Sequence, residues 1–267
     1  MKLKIGIVQF CPIPRQIKKN LDICSSLISG LPKLDILVFP EMCFTGYVFE
    51  NKSDILPFAK DSSSLEWAKT QAMKLKCYVA YGTPQESDSK LYNSLYLVNP
   101  KGELQFVHQK SHLYELDEPW SEEGSGFYST KINIREKELI CSFGICMDLN
   151  PYQFKAPYEK FECSTAAKIH KSDIMICSNA WLHPDQNESG FDKNMDTIYY
   201  WVDRLSPLIG TNAACIIANR TGTEIHYQGK TKFAGSSAIL HFQQTPVLHA
   251  VATKENEVII AEIEIKD

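Results

Sequence analysis

No apolar run in this chain approaches the length of a membrane-spanning helix. The N-terminal stretch MKLKIGIVQF has too short an apolar segment for a signal peptide and no small-residue cleavage site. There is no run of Lys or Arg, and a net charge of −4 supplies no electrostatic footprint for nucleic acid. Linkers, low-complexity tracts and internal repeats are absent as well. Nine cysteines are present (Cys11, Cys24, Cys43, Cys77, Cys141, Cys146, Cys163, Cys177 and Cys215), an odd number without a C-x-x-C pair. That spacing argues against a zinc ribbon and against a disulfide scaffold. These absences predict one domain, residues 1–267, with reduced thiols and no membrane partner. The compartment they predict is the cytoplasm, with the nucleus equally compatible.

What the chain does contain is short apolar runs alternating with amphipathic stretches. Strands are predicted at Lys4–Phe10, Asp35–Phe39, Cys77–Gly82, Leu91–Asn99 and Glu103–Gln109, the last two joined at the turn signal Asn99-Pro100-Lys101-Gly102. Further strands are predicted at Leu139–Ile145, Asp173–Asn179, Ala213–Asn219, Ser236–His241, Val247–Ala252 and Val258–Ile265. Helical spacing marks Gln16–Leu31, Ser62–Lys76, Tyr158–His170 and Asp196–Thr211, with Glu66 placed for a capping box from Ser63. Such alternation calls for an α/β fold.

The run LICSFGICMDLNP (139–151) organises the rest. It is apolar to Ile145 and then turns polar at Asp148, Asn150 and Pro151, as a buried strand entering a loop does. Cys146 then falls at the carboxyl end of a strand, where open α/β sheets place their chemistry. A core position would suit a free cysteine just as well. Glu41 directly follows the strand that ends in Phe39-Pro40, and Lys110 ends the strand of the 103–109 hairpin. Each alone reads as a surface residue. Together they supply a thiol nucleophile, a carboxylate to take its proton and a cation to hold an oxyanion, which suffice for acyl transfer without a metal or cofactor. The seven histidines sit in no papain-like or caspase-like signature.

FPEMCFTGY (39–47), QKSHLY (109–114) and FGICMD (143–148) resemble the glutamate, lysine and cysteine motifs of the nitrilase, or carbon–nitrogen hydrolase, superfamily, in the same order. SNAWL (178–182), ANRTG (218–222) and FAGSSAIL (233–240) resemble its later blocks. The resemblance implies a four-layer α-β-β-α sandwich. It implies Cys146 as nucleophile, Glu41 as general base and Lys110 as stabiliser of the tetrahedral intermediate, with the Met147 N–H a second oxyanion donor. A nearby cation also lowers a thiol pKa, so Lys110 is expected to favour the Cys146 thiolate. A second acidic residue after the lysine motif is implied too; Asp117 and Glu118 both fall there, and Asp117 is favoured. Where many members read Cys-Tyr-Asp-x-Arg, this chain reads Cys146-Met147-Asp148-Leu149-Asn150. The missing arginine weakens the case for substrates whose carboxylate it would clamp.

GICMDLNPYQFKAP (144–157), DILPFA (54–59), KLYNSLYLVNPKGE (90–103) and NAWL (179–182) further resemble the protein N-terminal asparagine/glutamine amidohydrolases of the N-degron pathway. That likeness implies deamidation of N-terminal Asn and Gln to Asp and Glu, with protein or peptide N-termini as partners. A small-molecule ω-amidase or nitrilase on the same triad is the alternative. A pocket for an N-terminus must satisfy an α-ammonium. Asp148, helped by Asp117 or Glu118, is a candidate for that task, although Asp148 could instead only stabilise the turn after the nucleophile. Trp181 is expected to wall the pocket or to pack in the core.

Overall fold

The computed structural model describes residues 1–187, 195–227 and 229–265. Its strands are β1 (Lys2–Gln9), β2 (Ile36–Val38), β3 (Tyr78–Ser87), β4 (Lys90–Val98), β5 (Leu104–Gln109), β6 (Ser129–Ile134) and β7 (Lys137–Ile145). They continue with β8 (Ile174–Asn179), β9 (Ala213–Asn219), β10 (Thr223–His226), β11 (Gly229–Lys232), β12 (Ala238–Phe242), β13 (Pro246–Val251) and β14 (Glu257–Glu264). The helices are α1 (Ile17–Leu27), α2 (Lys52–Ala59), α3 (Ser63–Leu75), α4 (Glu162–Ile169) and α5 (Met195–Arg204).

Two six-stranded sheets form, in the orders β14-β1-β2-β3-β4-β5 and β13-β12-β9-β8-β7-β6, beside a β10–β11 hairpin. They share one plan. Three central strands run parallel (β1, β2, β3 and β7, β8, β9) and antiparallel strands flank them. The central strands are apolar without alternation because both of their faces are covered. In β8, Ile174 and Ile176 join the core between the sheets, whereas Met175 and Cys177 face helices. In β2, Ile36 and Val38 face the other sheet and Leu37 faces helices. The strand period of two thus sorts each run between two cores. Cys24 of α1, Ile28 just after it and the α3 residues Ala68 and Ala72 cover the first sheet. Cys163 and Ala167 of α4 and Ile198 and Trp201 of α5 cover the second. Helix, sheet, sheet, helix is the four-layer order expected.

Several local expectations are corrected. Tyr158–His170 is not one helix. Phe161 adopts φ 40° between a single turn at 158–160 and α4, and the break lets the Tyr158 and Phe161 rings both lie on the buried Arg204 guanidinium, at 4.6 and 4.5 Å. The Ser63–Glu66 capping box does not form. Ser63 bonds to Asp61 and Glu66 pairs with Lys69 at 2.8 Å. The helix begun at Met195 ends at Arg204, and Pro207 opens a separate turn. Strand β6, the β10–β11 hairpin and α2 were not foreseen. Pro57 inside α2 hides that helix from a periodicity reading, although Asn51 caps it by accepting from the Asp54 N–H at 3.1 Å.

The sheets bring three strand ends together. Gly82 in β3 lets the chain after β2 pass close: a Cβ there would lie 2.4 Å from Glu41 Cα and 2.7 Å from Met42 N. Both obstacles are backbone, so a methyl group cannot be absorbed by a rotamer change. Gly82→Ala is therefore expected to destabilise the protein by about 1–3 kcal/mol and to displace Glu41. Urea unfolding should show the lowered midpoint; an unchanged midpoint would refute the close approach.

Candidate active site

Glu41, Lys110 and Cys146 follow β2, β5 and β7, so strands of both sheets meet here. Glu41, Lys110 and Asp117 are completely buried and Cys146 is 8% exposed. Lys110 Nζ donates to Glu41 Oε1 at 2.8 Å and to Asp117 Oδ2 at 2.5 Å. Asn93 Nδ2 donates to both acids, at 2.6 Å to Glu41 Oε1 and 3.0 Å to Asp117 Oδ1. The Ala180 N–H donates to Glu41 Oε2 at 2.6 Å. The Tyr47 hydroxyl donates to Asp117 Oδ2 at 3.4 Å, and its ring lies 5.6 Å from Lys110 Nζ. Asp117, not Glu118, is the carboxylate brought to Lys110; Glu118 is exposed.

Electrostatics in this dry cluster oppose ionised sulfur. Burial pushes the Cys146 thiol well above its usual range, Glu41 adds to the rise, and Lys110 offsets only part of it. Lys110 does act in the expected direction, lowering the thiol, but burial and Glu41 outweigh it. Burial also raises Glu41, which Lys110 moderates and Asp117 reinforces. Lys110 itself stays charged. Burial alone would lower its pKa, but Asp117 and Glu41 hold it above the ordinary value. The resting site thus pairs a neutral thiol with a carboxylate made more basic than a free glutamate.

The backbone at Cys146 is left-handed, with φ 42°. A non-glycine residue there stores about 1–3 kcal/mol of strain, which the surroundings must hold in place. Two contacts do so. The Cys146 N–H donates to Asn179 Oδ1 at 2.9 Å and the Ile145 N–H to Asp148 Oδ2 at 2.9 Å. The turn Cys146–Leu149 is a single helical turn whose leading N–H groups have no partner within it. With Ile145 and Cys146 engaged elsewhere, the Met147 N–H is the remaining donor, and Met147 lines the pocket beside Cys146.

Asp148 does not line that pocket. Its Oδ1 accepts the Ser111 and His112 N–H groups at 2.9 and 2.8 Å, and its Oδ2 accepts Ile145 N–H and meets His108 Nε2, both at 2.9 Å. A carboxylate has about four acceptor positions, and all are taken. The ammonium role is therefore corrected to a structural one: Asp148 ties the lysine loop to the cysteine turn. Burial would raise its pKa, but the His108 contact and the backbone donors outweigh that and leave it lowered. Asp117 is likewise enclosed with Lys110 and does not line the pocket, so it too meets no ligand directly.

The cavity in front of Cys146 measures about 450 Å³. Trp181 lines it and also packs at 5.8 Å on Trp201. Asn150, Tyr114 and Phe154 complete the near wall, and Asp196, Thr197 and Tyr200 bring α5 to it. Phe154 is 60% exposed, so the cavity opens to the surface. Among the described residues, no lysine or arginine lines it. Among the described residues, no group of three or more His, Cys, Asp or Glu is placed to hold a metal ion. Asn93, Asn179 and His108 were missed as site residues. Their signal was a polar side chain inside an otherwise apolar strand, which a buried environment tolerates only with partners.

Asp148→Asn removes one charge from a fully engaged acceptor. It is expected to cost about 2–4 kcal/mol. Because the folded pKa is depressed below 3.8, the wild-type contribution is complete above that value and is lost as pH falls through the lower folded one. Acid unfolding of the two proteins should therefore converge once the pH has fallen below the folded pKa of Asp148. A variant as stable as wild type at pH 7 would contradict the tie.

Against known proteins, a carbon–nitrogen hydrolase model matches residues 4–152. A protein N-terminal amidase of Schizosaccharomyces pombe is 36% identical, over 98% of this chain and 100% of its own. A protein N-terminal amidase of Saccharomyces cerevisiae is 34% identical over 68% of this chain, which spans 46% of that relative's length. A crystal structure of an N-terminal amidase with an Asn-Glu peptide superposes with a TM-score of 0.86 at 22% identity, over 99% of each chain.

Proposed function

The chain belongs to the carbon–nitrogen hydrolase family, and from that premise we propose that it deamidates N-terminal Asn and Gln residues of proteins or peptides, releasing ammonia. The near-full-length relationship to the fission-yeast amidase carries this reading. The pocket supports it, because an opening at the exposed Phe154 leaves a route out for the rest of a peptide.

Chemistry follows from the charge states. Cys146 Sγ attacks the side-chain carboxamide carbon while its proton passes to Glu41, so a free thiolate never has to persist. The developing oxyanion is met by Lys110 and the Met147 N–H. On collapse, the amide nitrogen takes the proton from Glu41 and leaves as ammonia, with a thioester on Cys146. Glu41 then takes a proton from water as its oxygen attacks the thioester carbon. Return of that proton to sulfur releases Asp or Glu. Asn93 and the Ala180 N–H hold both Glu41 oxygens in place. The product carries a new acidic N-terminal residue, consistent with a step in an N-degron pathway.

A small-molecule ω-amidase is the competing reading. Such a substrate carries a free carboxylate, and a cation in the wall would be expected to meet it. Among the described residues, Asn150 and the others that line the pocket provide none.

The direct test is ammonia release from peptides with free N-terminal Asn, free N-terminal Gln and an acetylated α-amine, with Cys146→Ala as control. Turnover of the free-amine peptides alone, abolished in the control, is expected. Hydrolysis of small amides such as free glutamine, without any peptide turnover, would move the assignment to the ω-amidase. In the same assay the acid limb of kcat/KM should lie above 4.5, since burial raises Glu41 and the base must be ionised. Glu41→Gln should lower kcat by about 10²–10⁴-fold; a smaller loss would assign the proton transfer to another group.

A further inference from the structure

With Asp148 and Asp117 both enclosed and engaged, the pocket still needs a group to meet the α-ammonium of the substrate. Among the described residues, Asp196 is the one carboxylate on the wall of the cavity that Cys146 lines. It stands in the first turn of α5 and is exposed. Among the described residues, no ion pair or hydrogen bond engages its side chain. The nearer wall carries Asn150, which is neutral and whose Oδ1 accepts from Tyr200 Oη at 2.7 Å. Among the described residues, no lysine or arginine lines the cavity to compete for the charge.

We propose that Asp196 is the specificity residue that binds the free α-ammonium of the substrate while its side-chain amide is presented to Cys146. This rests on the N-terminal amidase reading and names the group that makes the terminus, rather than any amide, the preferred substrate. In an N-terminal Asn or Gln the ammonium lies only a side chain's length from the carbon that Cys146 attacks. A single cavity lined by both Cys146 and Asp196 can therefore hold both. Acetylation would remove the positive charge and add bulk at the same place.

An acid in a helix's first turn also favours the helix by itself. That contribution acts on every substrate alike, so a comparison of substrates separates the two roles. The test uses two peptides identical but for the α-amine: one with N-terminal Asn, the other its desamino analogue, a succinamoyl peptide. Wild type is expected to prefer the amine by about tenfold to hundredfold in kcat/KM, the range of one charge-assisted contact. Asp196→Asn is expected to reduce that preference to near unity, chiefly by raising KM for the amine substrate. Asp196→Glu, which keeps the charge, should retain most of it. A preference unchanged in Asp196→Asn would overturn the assignment while leaving the amidase intact. Failure of wild type to hydrolyse either peptide would overturn both.

Discussion

The buried lysine between two acids is the constraint on which the site depends. Lys110 is wholly removed from water, and a lone ammonium there would be untenable without Glu41 and Asp117 against it. Breaking such a group by removing one member typically costs about 3–5 kcal/mol, because a buried charge is left uncompensated. The cluster therefore fixes where two loops lie: the one after β2, and the one after β5 that carries both Lys110 and the turn at Asp117. Asn93 completes it from the middle of β4 by donating to both acids. An enzyme that needs a base and an oxyanion donor at fixed separation gains that separation from an ion cluster the fold must satisfy anyway.

Enclosing the cluster has a chemical consequence. Burial and the neighbouring Glu41 push the Cys146 thiol up further than Lys110 brings it down, so the thiol is held protonated. A neutral thiol beside a strengthened base suits a mechanism in which proton transfer accompanies attack. It also leaves the nucleophile less prone to react as a free thiolate would. The left-handed Cys146 backbone points the same way: position, held by Asn179 and Asp148, does the work that ionisation does in thiolate enzymes.

The division between structural and substrate-facing carboxylates is equally physical. Asp148 and Asp117 lie next to the catalytic residues in sequence or space, yet hydrogen bonds consume their oxygens. Asp196 is fifty residues from Cys146 in the chain, and α5 carries it to the cavity wall. Proximity to a motif is a poor guide to what faces a ligand; unfilled acceptor positions on a cavity wall are a better one.

The sequence by itself determined the apolar strands, their alternation with helices, and the glutamate, lysine and cysteine placed after strands. Each of these rests on local patterning or on contiguous motif residues. Asp117 was also within reach, to one residue. Only the tertiary structure decided which carboxylates were spent, since the partners of Asp148 are backbone groups at Ser111, His112 and Ile145. Nothing in a string of residues states that all its acceptors will be filled. The break at Phe161 belongs to the same class, being set by Arg204 arriving from α5 beneath two aromatic rings. Patterning speaks for the residue that carries it, whereas hydrogen-bond satisfaction and burial belong to neighbours that only folding supplies.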